Sequence, residues 1–195
     1  MSKEYVRAQN ENSKSSADIQ GEHICRSEWR LMATYNPLSV ADIIRADKQD
    51  VRIGGWEAGP VPTAKFPLTR RKLRLGRGWR WRVVTFNALQ EQFVVLVAIS
   101  EEKEYYRATL AMRSGKTLKV VCFHELHTDH WNWHCHLIRG NVHETFAGVL
   151  RDKNLMSAWP TFTKSECSVP FNVTEESALS IAAARFRFAQ GGGFL

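Results

Sequence analysis

Apolar positions along this chain fall into short runs separated by Gly, Pro, Asn and charged residues, and most runs have strand character. Residues 81–86 are rich in aromatic and β-branched side chains. Residues 93–99 form a continuous apolar stretch, as in a strand covered on both faces. A third run, 104–112, leads through Ser114-Gly115-Lys116, a tight-turn signal, into 117–123, and 132–138 reads as the next strand. Connections this short join antiparallel neighbours. Helical spacing is found in three places. Val40, Ile43 and Ile44 share a face over 39–46; a second helix is expected over 142–150. A third starts at Thr174, a good N-cap, with Glu175 and Glu176 suiting the positive helix end. Leu179, Ala182, Ala183 and Phe186 then recur at helical spacing up to Gly191-Gly192-Gly193. Glycines and prolines make 54–68 a loop. The expected fold is therefore α+β: an antiparallel sheet of about five strands with two or three helices packed on one face.

The polar stretch 1–28, with Asn10-Glu11-Asn12-Ser13-Lys14-Ser15-Ser16, lacks the apolar content to repay ordering and is expected to be a flexible tail. It precedes a single domain over 29–190 and a short C-terminal tail, 191–195. A chain of 195 residues with 44% apolar content, seven Trp and ten Phe can bury a core of ordinary size. No stretch approaches the ~20 apolar residues that span a bilayer, so no membrane association is expected. The first residues carry no hydrophobic signal core, which makes the cytoplasm the default location. Cys25, Cys122, Cys135 and Cys167 lack paired spacing, so neither a disulfide framework nor a zinc ribbon is indicated.

The formal net charge is +7, which favours a polyanionic partner. The cations cluster: residues 70–82 hold Arg70, Arg71, Lys72, Arg74, Arg77, Arg80 and Arg82 with no acid, interleaved with Trp79 and Trp81. Arginine meets phosphate and rings stack on bases, so Arg70, Arg71, Lys72, Arg74, Arg77, Trp79, Arg80 and Arg82 are expected to contact nucleic acid, single-stranded DNA favoured. Period-two alternation places Trp79 and Trp81 on one strand face and Arg80 and Arg82 on the other. An edge strand with core tryptophans and outward arginines would read the same. Arg185 and Arg187 either extend the patch or are simply solvated.

Six of the seven histidines lie between 124 and 143. With a hairpin tip near His130-Trp131, His127 sits opposite His134 and Glu125 opposite His136, all four on one face. His127, His134 and His136 are then candidate ligands of one divalent metal (Mg, Mn or Zn). Glu125 is a fourth ligand, an orienting residue or a general base. The opposite face carries Leu126, Trp133, Cys135 and Leu137, a core pattern, and parity gives His124 a structural place there. His130 falls at the tip, and His143 has either role.

The run His127-Thr128-Asp129-(four residues)-His134-Cys135-His136-Leu137 resembles the three-histidine motif of the mobilisation relaxases among the HUH endonucleases. The resemblance covers about ten residues. It implies that His127, His134 and His136 hold a divalent cation on a scissile phosphate of single-stranded DNA, that Asp129 supports them, and that a tyrosine attacks. No tyrosine follows the motif; Tyr35 is the candidate by position and Tyr5 the next, while Tyr105 and Tyr106 lie in an expected strand where packing is their role. The expectation is a nucleic-acid-binding protein with a histidine-ligated metal, a phosphodiester-cleaving nuclease. Two alternatives stand beside it: a non-enzymatic nucleic-acid-binding or protein-interaction module with a structural histidine hairpin, and a metal enzyme acting on a small substrate.

Overall fold

The computed structural model describes residues 37–68, 73, 75–128, 130–145, 147–148, 155–159 and 168–190. They belong to one compact unit, Asn36–Leu195. Its strands are β1 (Gln49–Ile53), β2 (Glu57–Ala58), β3 (Arg80–Ala88), β4 (Glu91–Ser100), β5 (Tyr105–Ser114), β6 (Thr117–His127), β7 (His130–Ile138) and β8 (Met156–Trp159). They form one eight-stranded sheet in the order β1-β3-β4-β5-β6-β7-β8, with β2 also on β3, and these strand pairings are all antiparallel.

The expectation of about five strands with two or three helices is therefore corrected, among the described residues, to eight strands and two helices, α1 (Val40–Arg45) and α2 (Glu175–Phe186). The additional strands have weak sequence signals for a physical reason. β1, β2 and β8 are two to five residues long and largely exposed or half-buried, so little alternation is imposed on them. β2 lies inside the stretch whose glycines and prolines read as loop. Where a helix is expected over 142–150, the described residues form a single 3₁₀ turn, Val142–Glu144, capped by Asn141.

Helix α2 follows its sequence signals at the start. The Thr174 side chain accepts from the Ser177 amide, and the Ser177 side chain accepts from the Thr174 amide, a reciprocal capping box. It ends at Arg187 in the left-handed conformation (φ 57°), four residues before the glycine run. Ala178, Ala182, Ala183 and Phe186 bury its apolar side. That side joins α1 and one face of the sheet in the larger core, with Phe86, Val95, Tyr106 and Leu110. A smaller core occupies the other face, where Val61 and Phe66 cover Trp81, Leu96, Ala98, Leu118 and Phe123.

The β3–β4 hairpin turns through Leu89 and Gln90, both at positive φ (52° and 65°), between the paired Ala88 and Glu91. Such two-residue turns favour Asn-Gly, because other residues are strained there. Leu89, moreover, is 48% exposed. Replacing the pair with Asn-Gly is expected to stabilise the protein by about 1–2 kcal/mol. Urea denaturation checks this, and an unchanged midpoint refutes it.

One irregularity matters for function. Leu110 pairs with Cys122 and Ala111 with Val120, which leaves Val121 as a bulge in β6. Before it, even-numbered Leu118 and Val120 face the smaller core; after it, odd-numbered Phe123 does. A bulge switches which residues face which side. This one places Phe123, Glu125 and His127 together on the sheet face away from the helices.

Candidate metal centre

That face carries a grid of side chains from three adjacent strands. Tyr105 pairs with His127. Arg107 pairs with Glu125, which pairs with His134. Thr109 pairs with Phe123, which pairs with His136. The observed β6–β7 register differs by two residues from a hairpin centred on His130-Trp131. A two-residue slip preserves side-chain facing, so Glu125, His127, His134 and His136 still share one side. The opposite side holds Leu126 and Cys135, with Trp133 and Leu137 packed against the larger core. His124 is there too, stacked on Trp133 and buried.

The structure brings Glu125, His134 and His136 together: one donor atom from each lies within 4.8 Å of the others, so the three can hold a metal ion. Glu125 Oε2 stands 3.6 Å from His134 Nε2 and 3.7 Å from His136 Nε2. These separations exceed hydrogen-bond lengths. They match donors sharing an ion, since ligands ~2.1 Å from a tetrahedral metal stand about 3.4 Å apart. His134 Nδ1 lies 2.8 Å from the carbonyl oxygen of Asn132. A carbonyl only accepts, so Nδ1 carries the proton and Nε2 presents its lone pair to the cluster, the outer arrangement typical of metal-bound imidazole. The Asn132 side chain is itself fixed, its Oδ1 accepting from the Ser168 and Val169 amides at 2.8 and 3.1 Å. On the other flank, Arg107 Nε donates to Glu125 Oε1 and Arg107 Nη2 to Tyr105 Oη.

Electrostatics follow from this packing. Burial alone would raise the Glu125 carboxyl; the facing His134 imidazole and the charges of Arg107 and His136 outweigh it and hold the group at about 2. Burial opposes protonation of His134, yet Glu125 and the Asn132 carbonyl move it upward overall. Tyr105 is pushed up to about 12, mainly by burial. His124, on the other side, falls to about 3 through burial and stays neutral. A depressed carboxyl contributes stability that is present above its unfolded value of 4.5 and lost as pH falls towards 2. His134, being raised, acts with opposite sign in a separate window near and above 6.5. The metal-free protein is expected to lose about 3 kcal/mol between pH 5 and 2, and Glu125→Gln to flatten that limb. Urea titrations at stepped pH measure it, and equal slopes for the two proteins would contradict it.

The remaining expected site residues are placed as follows. His127 lies beside the cluster rather than within the convergent trio, its ring stacked on Tyr105 at 4.8 Å and 5.2 Å from the His134 ring. His143 Nδ1 is 3.9 Å from Glu91 Oε1. Arg80 Nε is 2.9 Å from Glu175 Oε1, and Arg82 donates to the Gly54 carbonyl. Trp79 is half-buried against Tyr105, with ring centroids 5.2 Å apart, and Arg77 is exposed. Arg185 lies over the Trp159 ring and Arg187 caps α2. Tyr5, Tyr35, Arg70, Arg71, Lys72, Arg74 and Asp129, like the expected tails 1–28 and 191–195, lie outside the described residues. Two site residues had no sequence signal as such: Arg107 and Tyr105 join only through the register of β5 on β6.

No family model matches the chain, and no curated protein or solved structure does. Among the described residues, no helix is long and apolar enough to cross a membrane.

Proposed function

We propose that this protein binds nucleic acid, single-stranded DNA foremost, and cleaves its phosphodiesters with one divalent cation held by Glu125, His134 and His136. The observation that carries the reading is the convergence of Glu125 Oε2 on two imidazole nitrogens at 3.6 and 3.7 Å, too long for mutual hydrogen bonds and suited to a shared ion. Two imidazoles and a carboxylate favour Zn or Mn over Mg, which prefers oxygen donors. Bound there, the cation supplies a Lewis acid for a phosphoryl oxygen and an acidified water. The chain's own groups do the rest: Asn132 orients His134, Arg107 holds Glu125 ionised, and His136 keeps its side chain 35% exposed. The net charge of +7 and the basic residues near β3 support a polyanionic substrate.

Resemblance to the HUH endonucleases supports a finer version, in which His134 and His136 flank Cys135 on one strand and Tyr35 attacks. In that version a covalent DNA adduct forms and is absent from Tyr35→Phe. The general reading is tested with end-labelled single-stranded DNA and Zn- or Mn-loaded protein at two salt concentrations. Chelator-sensitive cleavage with a steep salt dependence of binding is expected; intact DNA under every metal condition ends it. A second reading, a non-catalytic module, is favoured by one observation: Glu125 already has a charged partner in Arg107. Metal content by elemental analysis separates the two.

A further inference from the structure

We infer that Arg107 and the metal centre together form a subsite for a tetrahedral oxyanion, the phosphate group of the substrate, with Tyr105 holding Arg107 in position. The inference rests on the proposed metal reading and adds the protein group that faces the substrate.

Arg107 reaches from β5 across to β6. Its Nε bond to Glu125 and its Nη2 bond to Tyr105 fix the plane of the guanidinium. They engage two of the five N–H donors that such a group carries. The same guanidinium lies over the Tyr105 ring at 5.2 Å and the Phe123 ring at 5.4 Å. Contacts with both rings and both hydrogen bonds leave it little freedom, so little conformational entropy remains to be lost when it grips a ligand.

Exposure shows how a ligand enters. Glu125 and His134 are buried, with side chains 6% and 1% exposed, whereas Arg107 and His136 keep 26% and 35%. The two open groups stand diagonally across the grid, with Phe123 and Glu125 between them. A group entering there has the guanidinium on one side and the cation on the other, above an apolar ring that excludes water. Arg107 and the cation share one carboxylate, through Oε1 and Oε2 respectively. One carboxylate against a divalent cation and a guanidinium leaves the site net positive, which suits a doubly charged anion. Arginine's fork matches phosphate oxygens, and its bonds to phosphate are among the stronger ones available in proteins.

The test uses inorganic phosphate as probe and the full chain loaded with Zn or Mn. Calorimetry gives phosphate affinity, and broadening of the phosphorus resonance by bound Mn gives proximity to the metal. Wild type is expected to bind phosphate and broaden its signal, with acetate binding more weakly. Arg107→Gln and Arg107→Lys are expected to keep one metal per chain and lose roughly 10-fold or more in phosphate affinity, because a charge-assisted bond is removed or loses its fork. Tyr105→Phe is expected to keep the metal and weaken phosphate less than either. Metal-loaded wild type that ignores phosphate removes the subsite alone, and so does an Arg107→Lys protein that binds phosphate as tightly as wild type. Wild type that takes up no metal removes the functional reading, and this subsite with it.

Discussion

His134→Ala and His136→Ala are each expected to abolish stoichiometric metal while the domain stays folded. Each removes one donor of three. The loss should exceed the roughly 10–100-fold that removal of an outer-shell partner such as Asn132 typically costs. The sharper comparison is between Glu125 and His127. If the donor set is the one that converges here, Glu125→Gln loses the metal and His127→Ala keeps it. A set of three histidines, as the relaxase-like motif implies, predicts the reverse. Elemental analysis after loading with Zn or Mn and gel filtration reads all four variants. Full occupancy in both His134→Ala and His136→Ala would remove the centre altogether. Loading should also weaken on acidification, because a proton on His134 competes for the same Nε2 lone pair, and Glu125 and the Asn132 carbonyl favour that proton.

How much of this site was legible in the sequence depends on what each step needed. Period-two alternation placed Glu125, His127, His134 and His136 on one side of a hairpin and Leu126 and Cys135 on the other. That survives a wrong register because the observed slip is an even number of residues. The tight turn between Ser114 and Thr117 was visible through Gly115, which takes φ 58°. Counting back from that turn still misses Arg107, since an unbroken ladder would set it opposite His124. The extra residue at Val121 moves it opposite Glu125. Nothing in Val120-Val121-Cys122, three apolar residues in a row, announces which one bulges. The edge strands were obscure for another reason: half-buried segments of two to five residues impose too few apolar positions to distinguish strand from loop. The long central strands β3 to β6 were legible because both faces of the sheet are covered, which demands apolar residues almost without interruption, as in 93–99.

Trp81→Ala is expected to cost about 3–5 kcal/mol, the range for truncating a large buried aromatic, and this decides how the basic, aromatic stretch divides its work. Both readings of that stretch began from the same alternation of tryptophan and arginine, and they differ in whether the rings are available to bases. Trp81 is 1% exposed, packs in the smaller core, and donates from its indole nitrogen to the Gly59 carbonyl at 2.9 Å. Truncation removes that bond and opens a cavity under Val61 and Phe66. Trp81→Phe should cost much less, since most of the volume is kept and one hydrogen bond of about 1 kcal/mol is lost. Arg80→Ala should change stability by no more than about 1 kcal/mol, because its ion pair with Glu175 is solvent-exposed. Urea denaturation of the three variants gives these values, and single-stranded DNA binding on the same samples assigns function. A Trp81→Ala protein of unchanged stability with weakened DNA binding would make that ring a stacking platform. The expected opposite, lost stability with Trp79→Ala weakening DNA binding in a stable protein, divides the stretch between ligand and core at Arg80, with Trp79 on the ligand side and Trp81 in the core.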